Sequence, residues 1–437
     1  MKVAIIGAGF TGLAAAWILS EGGGEVEIWE KNAAAGGLAG GIRSQGFSFP
    51  AAWTWDLEQY YHHWFTNDEI ILNFIREQGW GDFLLKGRPK TAVWLENQIW
   101  ALDSPRAVLQ FRPLSLLSRL RLAAVLAYLK YFLPPRHFKK LEKIAAAAWL
   151  EQSLGKEGFT KLWLPLLKAK FGPYFSQVNL AWFWARIYKR TPQLVYFRGG
   201  FPQLIHLIEK KLRQRGVKFN YQQEIEGLKK GENEKWVLVN NKGHKFTYEQ
   251  ILLTLPSAGA QKLFPPLKAE FSPLFSLGAQ VLIFAFARPF LPEQTYWLNI
   301  SVPDWPFVVA VEQTNWIDSQ FYGREHVLYL GNYLVPEHKF FHLSTQDLIK
   351  KFIPFLRQIN PSFSAAEIKK AWRWRFQSYQ AQPLVGLNHS QKIPPLATSF
   401  KGLYLANQEQ IYPWDRGTNY AWQLGREAAQ LMLNEAG

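Results

Sequence analysis

Val3 to Ile6 form a short apolar run that breaks into Gly7-Ala8-Gly9-Phe10-Thr11-Gly12 and then into helical spacing through Leu19. The run reads as a buried strand, and GxGxxG between a strand and a helix assigns each glycine a task. The chain must turn tightly, approach a pyrophosphate with its backbone, and pack helix on strand. Free N–H groups at the helix start then face the phosphates. A second strand, Glu25 to Glu30, ends in a carboxylate eighteen residues after Gly12, placed to accept hydrogen bonds from ribose hydroxyls. GxGxxG alone is compatible with a structural turn, but strand, glycines, helix, strand and terminal acid in succession read as a dinucleotide site. Gly7, Gly9, Thr11, Gly12, Glu30 and Lys31 are its candidate contacts.

A nicotinamide-binding unit would continue into another strand and helix, whereas this chain runs Asn32-Ala33-Ala34-Ala35-Gly36-Gly37-Leu38-Ala39. That second glycine loop resembles the FAD-dependent amine oxidase superfamily, which includes protoporphyrinogen oxidase, phytoene desaturase and UDP-galactopyranose mutase. In such proteins the loop lies along the diphosphate and ribityl chain, so Gly36, Gly37 and Leu38 join the candidates. Leu38 stands where many members carry Arg, and Arg43 is near enough to substitute.

The far end of the chain carries the same resemblance. Leu403 to Ala406 reads as a strand, Asp415-Arg416-Gly417-Thr418-Asn419 as a turn, and Tyr420 onward as a helix with apolar residues at Ala421, Leu424, Ala428, Leu431 and Leu433. The resemblance places this helix start at the pyrimidine end of a flavin, where N–H groups and the helix dipole stabilise negative charge. Asn407-Gln408 departs from the Gly-Asp or Gly-Glu usual there. In the middle, Arg198-Gly199-Gly200-Phe201 leads into a helix, and Val217 to Tyr221 into a strand. Glu224 to Leu228 forms a crossing that would place Ile225 beside the adenine.

The implied fold is α/β, a Rossmann-like FAD-binding domain of the glutathione reductase type interleaved with an α+β substrate domain. The division reads as 1–90, 196–264 and 386–437 for the FAD parts, 91–195 for a helical substrate part, and 265–385 for the substrate sheet. A chain of 437 residues can hold two such cores.

Zero Cys excludes disulfides, thiolate metal sites and redox-active dithiols. The glycine fingerprint accounts for the apolar N-terminus better than a signal peptide does, which implies a cytoplasmic location. The net charge of +16 concentrates between Ser104 and Leu141, where eight Lys or Arg and no acid surround the apolar run Leu114–Leu133. Pro113 suits a helix start and Pro134-Pro135 its stop. Arg119 and Arg121 interrupt the run too early for a membrane span. Arg119 and Lys130 share one side, which suits a helix lying on an anionic membrane surface; a buried helix with a solvated basic edge is the alternative. Basic residues among aromatics also suit nucleic acid, but no nucleic-acid-binding module accompanies them, and none is expected as a partner.

Trp182-Phe183-Trp184, Trp372, Trp374, Tyr412 and Trp414 have arginines beside them. Trp163, Pro165, Lys170-Phe171-Gly172 and Trp184-Ala185-Arg186 look like the substrate-domain signature of a bacterial subgroup of the same superfamily. Trp184 and Tyr412 are candidate pocket walls, and Arg186 or Arg373 a candidate anion holder. In Tyr61-His62-His63-Trp64 adjacent histidines diverge, so a shared metal is not expected, while Tyr61 and His62 are substrate-facing candidates. With no Ser nucleophile elbow, P-loop or usefully spaced carboxylate pair, no catalytic side chain is named. The chemistry is the cofactor's, FAD.

Three functions fit this reading. The first is an oxidase or desaturase moving hydride from a hydrophobic or amine-bearing small molecule to flavin N5. The second is a non-redox isomerase like the galactopyranose mutase, acting on a nucleotide sugar. The third is a non-catalytic flavoprotein. The substrate, electron acceptor and oligomeric state are left open by the sequence.

Overall fold

The computed structural model describes residues 1–46, 48–231, 234–376 and 381–435. Its first layer is a five-stranded parallel sheet in the order Leu403–Leu405, Gln250–Leu253, Lys2–Ile6, Glu25–Glu30, Lys218–Tyr221. Strands from both ends and the middle of the sequence therefore meet side by side, with Ala4 opposite Ile251 and Glu27, and Leu252 opposite Tyr404.

Parallel strands are apolar on both faces because both are covered, and successive side chains take opposite sides. Val3, Ile5, Val26, Ile28, Leu252 and Tyr404 pack with the helices Phe10–Glu21 and Thr418–Asn434. Ala4, Ile6, Trp29, Ile251, Leu253 and Leu405 pack with Trp236, Leu238 and Tyr248 of a three-stranded antiparallel sheet. That sheet contains Trp236–Asn240 and Lys245–Tyr248, joined through the Asn241-Lys242-Gly243 turn.

The two terminal helices touch backbone to backbone. A Cβ added at Gly425 would lie 2.1 Å from the Thr11 carbonyl oxygen and 2.9 Å from the Ala14 Cβ. Gly425 is thus a packing glycine, and the C-terminal helix seats itself directly on the glycine-fingerprint helix.

The second part is a mixed sheet in the order Ile368–Phe376, Ser276–Phe286, His326–Leu334, Val309–Glu312, Thr295–Ile300, Lys90–Leu95, Gln98–Ala101. One face buries Phe284, Leu328 and Leu330 against Leu348, Phe352 and Leu356 of the helix Thr345–Ile359. Beyond it a helical cluster covering Leu116 to Lys189 has its own core, including Leu122, Leu150, Leu154, Phe171 and Trp184.

The basic apolar segment differs from its sequence reading. Its helix spans Leu116–Ala127, and Ser115 caps it, accepting from the Ser118 N–H. It then widens into a π-helical turn, Tyr128–Phe132. Arg119 donates through Nη1 to Leu109 O at 2.8 Å, and Lys130 donates to Tyr188 O and Arg190 O at 2.7 and 2.6 Å. These two cations serve backbone carbonyls and do not form a lipid-facing basic stripe; a count at 100° per residue cannot anticipate the register change in a π turn. What the segment exposes is apolar: Leu116, Leu117, Leu120, Tyr131 and Phe132 are 51 to 78% accessible. No helix among the described residues is long and apolar enough to cross a membrane.

Candidate active site

One cavity of about 1970 Å³ runs from the glycine fingerprint to the helical cluster. Single-ligand pockets commonly occupy about 300–1,000 Å³, so this one has room for a dinucleotide and a second molecule.

Its first wall is mostly backbone. Gly7, Gly9, Thr11, Glu30, Lys31, Gly36, Gly37, Leu38 and Ile225 line it, as do Asp415, Arg416, Gly417, Thr418 and Asn419. Gly12 acts from behind: a Cβ there would meet Gly7 O at 2.1 Å, so it lets helix and strand close up. At Gly7, φ is +112° and a Cβ would sit 2.3 Å from Thr254 Oγ1. At Gly9 and Gly417 an added Cβ would meet no protein atom within 4 Å, which makes both of them positions that a side chain would fill at the cavity's expense. The dinucleotide fits this cradle, since bare backbone faces open space beside helix starts whose first N–H groups lack intrahelical acceptors.

Glu30 is buried and already engaged. Its Oε2 accepts from Ala8 N at 2.9 Å, and its Oε1 accepts from Asn32 N at 2.9 Å and Asn32 Nδ2 at 2.7 Å. A carboxylate has about four acceptor positions, so it ties the two glycine loops together and retains capacity for a hydroxyl donor. Thr418 Oγ1 accepts from Trp64 Nε1 at 2.7 Å, and Asn419 Oδ1 from Ile71 N at 3.1 Å. These side chains fix the helix start, and their backbone is what faces the cavity.

The second wall is built of side chains. Trp163, Trp182, Phe183, Trp297, Tyr333 and Trp374 line it, with Tyr60, Tyr61, His62 and His63 from the loop before the strand at Trp64. The helix Leu180–Lys189 presents Trp182 and Arg186 on this side because Asn179 caps it, accepting from Trp182 N at 2.9 Å. Arg186 stacks over Trp182, its guanidinium carbon 4.2 Å from the ring centre, and pairs with Asp415. Arg416 bonds to Tyr333 Oη at 2.7 Å and to Gln382. Asp415 and Arg416 are therefore cavity groups and not a surface ion pair.

Burial would raise the Asp415 carboxyl, but the positive charges of Arg186, Lys170 and Arg416 outweigh it and hold the group below the ordinary range. The dry surroundings lower the Lys170 ammonium well below its usual value, and Arg186, Arg416 and Arg190 add to the effect. Burial pushes His62 down to about 4 and His63 to about 3, so both are neutral near pH 7. His62 Nδ1 lies 2.5 Å from Tyr60 O and so carries the proton, leaving the lone pair on Nε2. Asp68, also on the wall, is raised to about 6 by burial.

Besides Gly12, four candidates fall outside the cavity lining. Trp184 is fully buried and donates to Leu133 O at 3.0 Å, because it faces the helical core one position past Phe183. Arg373 is spent on Gln280 Oε1, at 2.6 Å, and on the carbonyls of Phe340 and Leu343; its strand neighbour Trp374 takes the cavity side. The Tyr412 hydroxyl lies 3.2 Å from Asn179 Nδ2, and its ring packs on Phe138 and His389. Arg43 donates to Trp53 O at 2.6 Å and covers Phe49, away from the diphosphate loop. Conversely, Lys170, Arg190, Trp297, Tyr333 and Asp68 line the wall without having been singled out as contacts. Only Lys170 carried a signal, its place in the Lys-Phe-Gly signature. Among the described residues no group of three or more His, Cys, Asp or Glu is arranged to hold a metal.

Residues 10–433 match the family model for flavin-containing amine oxidoreductases. The chain belongs to that family. FAD is its cofactor. Over 49 residues it is 51% identical to a 4,4'-diapophytoene desaturase of Staphylococcus aureus, a match covering 11% of this chain and 10% of the desaturase. The fold is shared much more widely than the sequence. A structure described as a protoporphyrinogen oxidase, from Exiguobacterium sp. 255-15, superposes with a TM-score of 0.77 at 17% identity over 99% of both chains. Reduced UDP-galactopyranose mutase gives 0.74 at 15% identity, over 99% of this chain and 94% of that one. Cyclohexylamine oxidase from Brevibacterium oxydans IH-35A gives 0.68 at 16%, over 100% and 99%.

Proposed function

We propose that this member of the flavin-containing amine oxidoreductases is an oxidase or desaturase that takes hydride from a hydrophobic or amine-bearing small molecule. The observation that carries this reading is the continuity of the cavity, from a backbone cradle at Gly9 and Gly417 to a wall of Trp182, Trp297 and Trp374. In this assignment Gly7, Gly9, Thr11, Gly36 and Gly37 hold the FAD diphosphate, Glu30 a ribose, Ile225 the adenine, and the backbone of residues 415–419 the flavin end, while the Arg416 side chain reaches the substrate wall at Tyr333. Bound FAD supplies the chemistry by accepting hydride at N5. The protein positions the substrate between aromatic faces, excludes water, and keeps His62 and His63 uncharged beside it. No side chain is required as a general base.

The test is the visible spectrum of the purified protein, with the chromophore identified after heat release, followed by anaerobic bleaching with candidate substrates. Substrate-dependent bleaching supports the reading. Turnover only after prior reduction, together with UDP binding, would replace it with mutase chemistry, and bound FAD that no reductant of this kind bleaches would leave a flavoprotein without turnover.

The exposed ridge of Leu116, Leu117, Leu120, Tyr131 and Phe132 supports a second element, docking on an anionic membrane surface. Arg112, Arg121, Arg136, Lys139 and Lys140 are exposed in the same stretch, where they are positioned to meet lipid headgroups. Failure to co-sediment with anionic vesicles at low salt would remove it.

A further inference from the structure

Lys170, Arg186, Arg190 and Arg416 crowd one end of the cavity, and Asp415 is the carboxylate whose charge acts on all four. Arg186 takes that carboxylate in an ion pair. Among the described residues Lys170, Arg190 and Arg416 make no ion pair. Lys170 instead rests between two ring faces, its Nζ 5.6 Å from the centre of Trp182 and 5.0 Å from that of Tyr333. Ring faces attract a cation without neutralising it. Lys170 and Arg416 are half-buried and Arg190 opens to solvent through the cavity; uncompensated positive charge is costly in such partly dry surroundings, and here it is concentrated where Trp182, Trp163 and Phe183 offer an apolar wall. An amine would be repelled by this end, and a neutral hydrocarbon would leave the charge unanswered.

We propose that the substrate is an anionic amphiphile, an apolar body bearing a carboxylate or phosphate that Lys170, Arg190 and Arg416 receive. The inference rests on the oxidase or desaturase reading of the same cavity and narrows its substrate class. Arg416 and Arg190 supply planar donor forks suited to carboxylate and phosphate oxygens, and Lys170 a point charge. The Arg186–Asp415 pair positions the stacked guanidinium and leaves the other three cations for the ligand.

The experiment titrates the FAD-loaded full-length protein with laurate, dodecyl phosphate, dodecanol and dodecylamine, following perturbation of the flavin absorption. Binding of one or both anions at least tenfold tighter than dodecanol is expected, with dodecylamine weakest. The laurate and phosphate arms distinguish the two headgroups. Lys170→Gln and Arg190→Gln should each lower the anion preference fivefold or more while FAD content stays stoichiometric. Equal or tighter binding of dodecanol or dodecylamine would overturn the inference. So would variants that shift the flavin reduction potential and leave anion binding unchanged, since the cluster would then serve the cofactor. Anion binding without turnover of any bleaching substrate would sustain the subsite and sink the oxidase reading, so the two proposals fail separately.

Discussion

The two walls of the cavity are made of different materials. The dinucleotide wall is backbone, shaped by glycines whose absent side chains are its defining property, and its polar side chains are occupied in holding loops. Glu30 joins Ala8 to Asn32, while Thr418 and Asn419 anchor the closing helix to Trp64 and Ile71. The opposite wall is side chain throughout, rings and cations carried on the helical cluster, the mixed sheet, the loop before Trp64 and the C-terminal turn. A backbone wall tolerates little change at fixed positions and much elsewhere. A side-chain wall can be re-lined residue by residue without moving the frame, which suits a family that keeps one cofactor and varies its substrates.

The sharpest test of that contrast is a pair of glycine variants. Gly12→Val places carbon on Gly7 O, an overpacking with no soft atom to yield, and should abolish soluble, flavin-bearing protein. Gly9→Val meets no protein atom at its Cβ, so the fold should survive by circular dichroism while FAD content falls at least tenfold. Equal loss of folding in both would break the distinction between cradle and frame.

Three buried carboxyls lie in the frame and not on the substrate wall. Burial raises Glu58, Glu312 and Glu409 each to about 7 from an ordinary 4.5. A raised folded-state value means the stability these groups confer is complete below about pH 4.5 and is lost as pH climbs through 7. Each contributes on the order of 3 kcal/mol to that loss. Urea midpoints should therefore fall between pH 5 and 8, and Glu58→Gln should flatten the slope by about one third, tempered by its bonds from Tyr196 Oη and Phe201 N.

On the side-chain wall the effects are smaller and more local. Trp184→Phe removes the bond to Leu133 O and should cost about 1–2 kcal/mol by denaturant melt, with substrate KM unchanged. A raised KM would return Trp184 to the pocket. Asp415→Asn frees the Arg186 charge at a stability cost on the order of 1 kcal/mol, discounted because Asp415 retains contact with solvent. It should tighten laurate binding several-fold. Least of all, Leu117→Ser on the exposed ridge should move stability by under about 0.5 kcal/mol, yet reduce co-sedimentation with anionic vesicles.

The same difference in material decides what could be read in advance. Gly7, Gly9, Gly36, Gly37 and Gly417 were legible as cavity lining because a backbone wall is written as spacing, and spacing is a sequence property. The parallel sheet was legible through Val3–Ile6 and Leu403–Leu405, whose unbroken apolar character follows from having both faces covered, and through Glu25–Glu30 by its place between the fingerprint helix and the second glycine loop. Trp184 and Arg373 were misplaced because composition names a residue type and not the way it faces. On the helix Leu180–Lys189, Trp182 takes the cavity and Trp184 the core, where its indole donates to Leu133 O. Lys130 was misread for a related reason, the π turn that aims it at Tyr188 and Arg190. Gly425 gave no local sign at all, since its role exists only against Thr11 and Ala14 from the opposite end of the chain.

That contact between Gly425 and the Thr11 carbonyl also bears on how the protein is made. A nascent chain emerges N-terminus first, and the fingerprint strand and helix leave the ribosome long before their partner exists. Until residues 403–435 are synthesised, Val3 and Ile5 lack part of the cover that the closing helix provides. The cradle is complete only once residues 403–435 have been made, so cofactor capture is expected to follow their synthesis. Supply of FAD should raise yield by trapping finished chains, and should do nothing for chains cut short before Gly417.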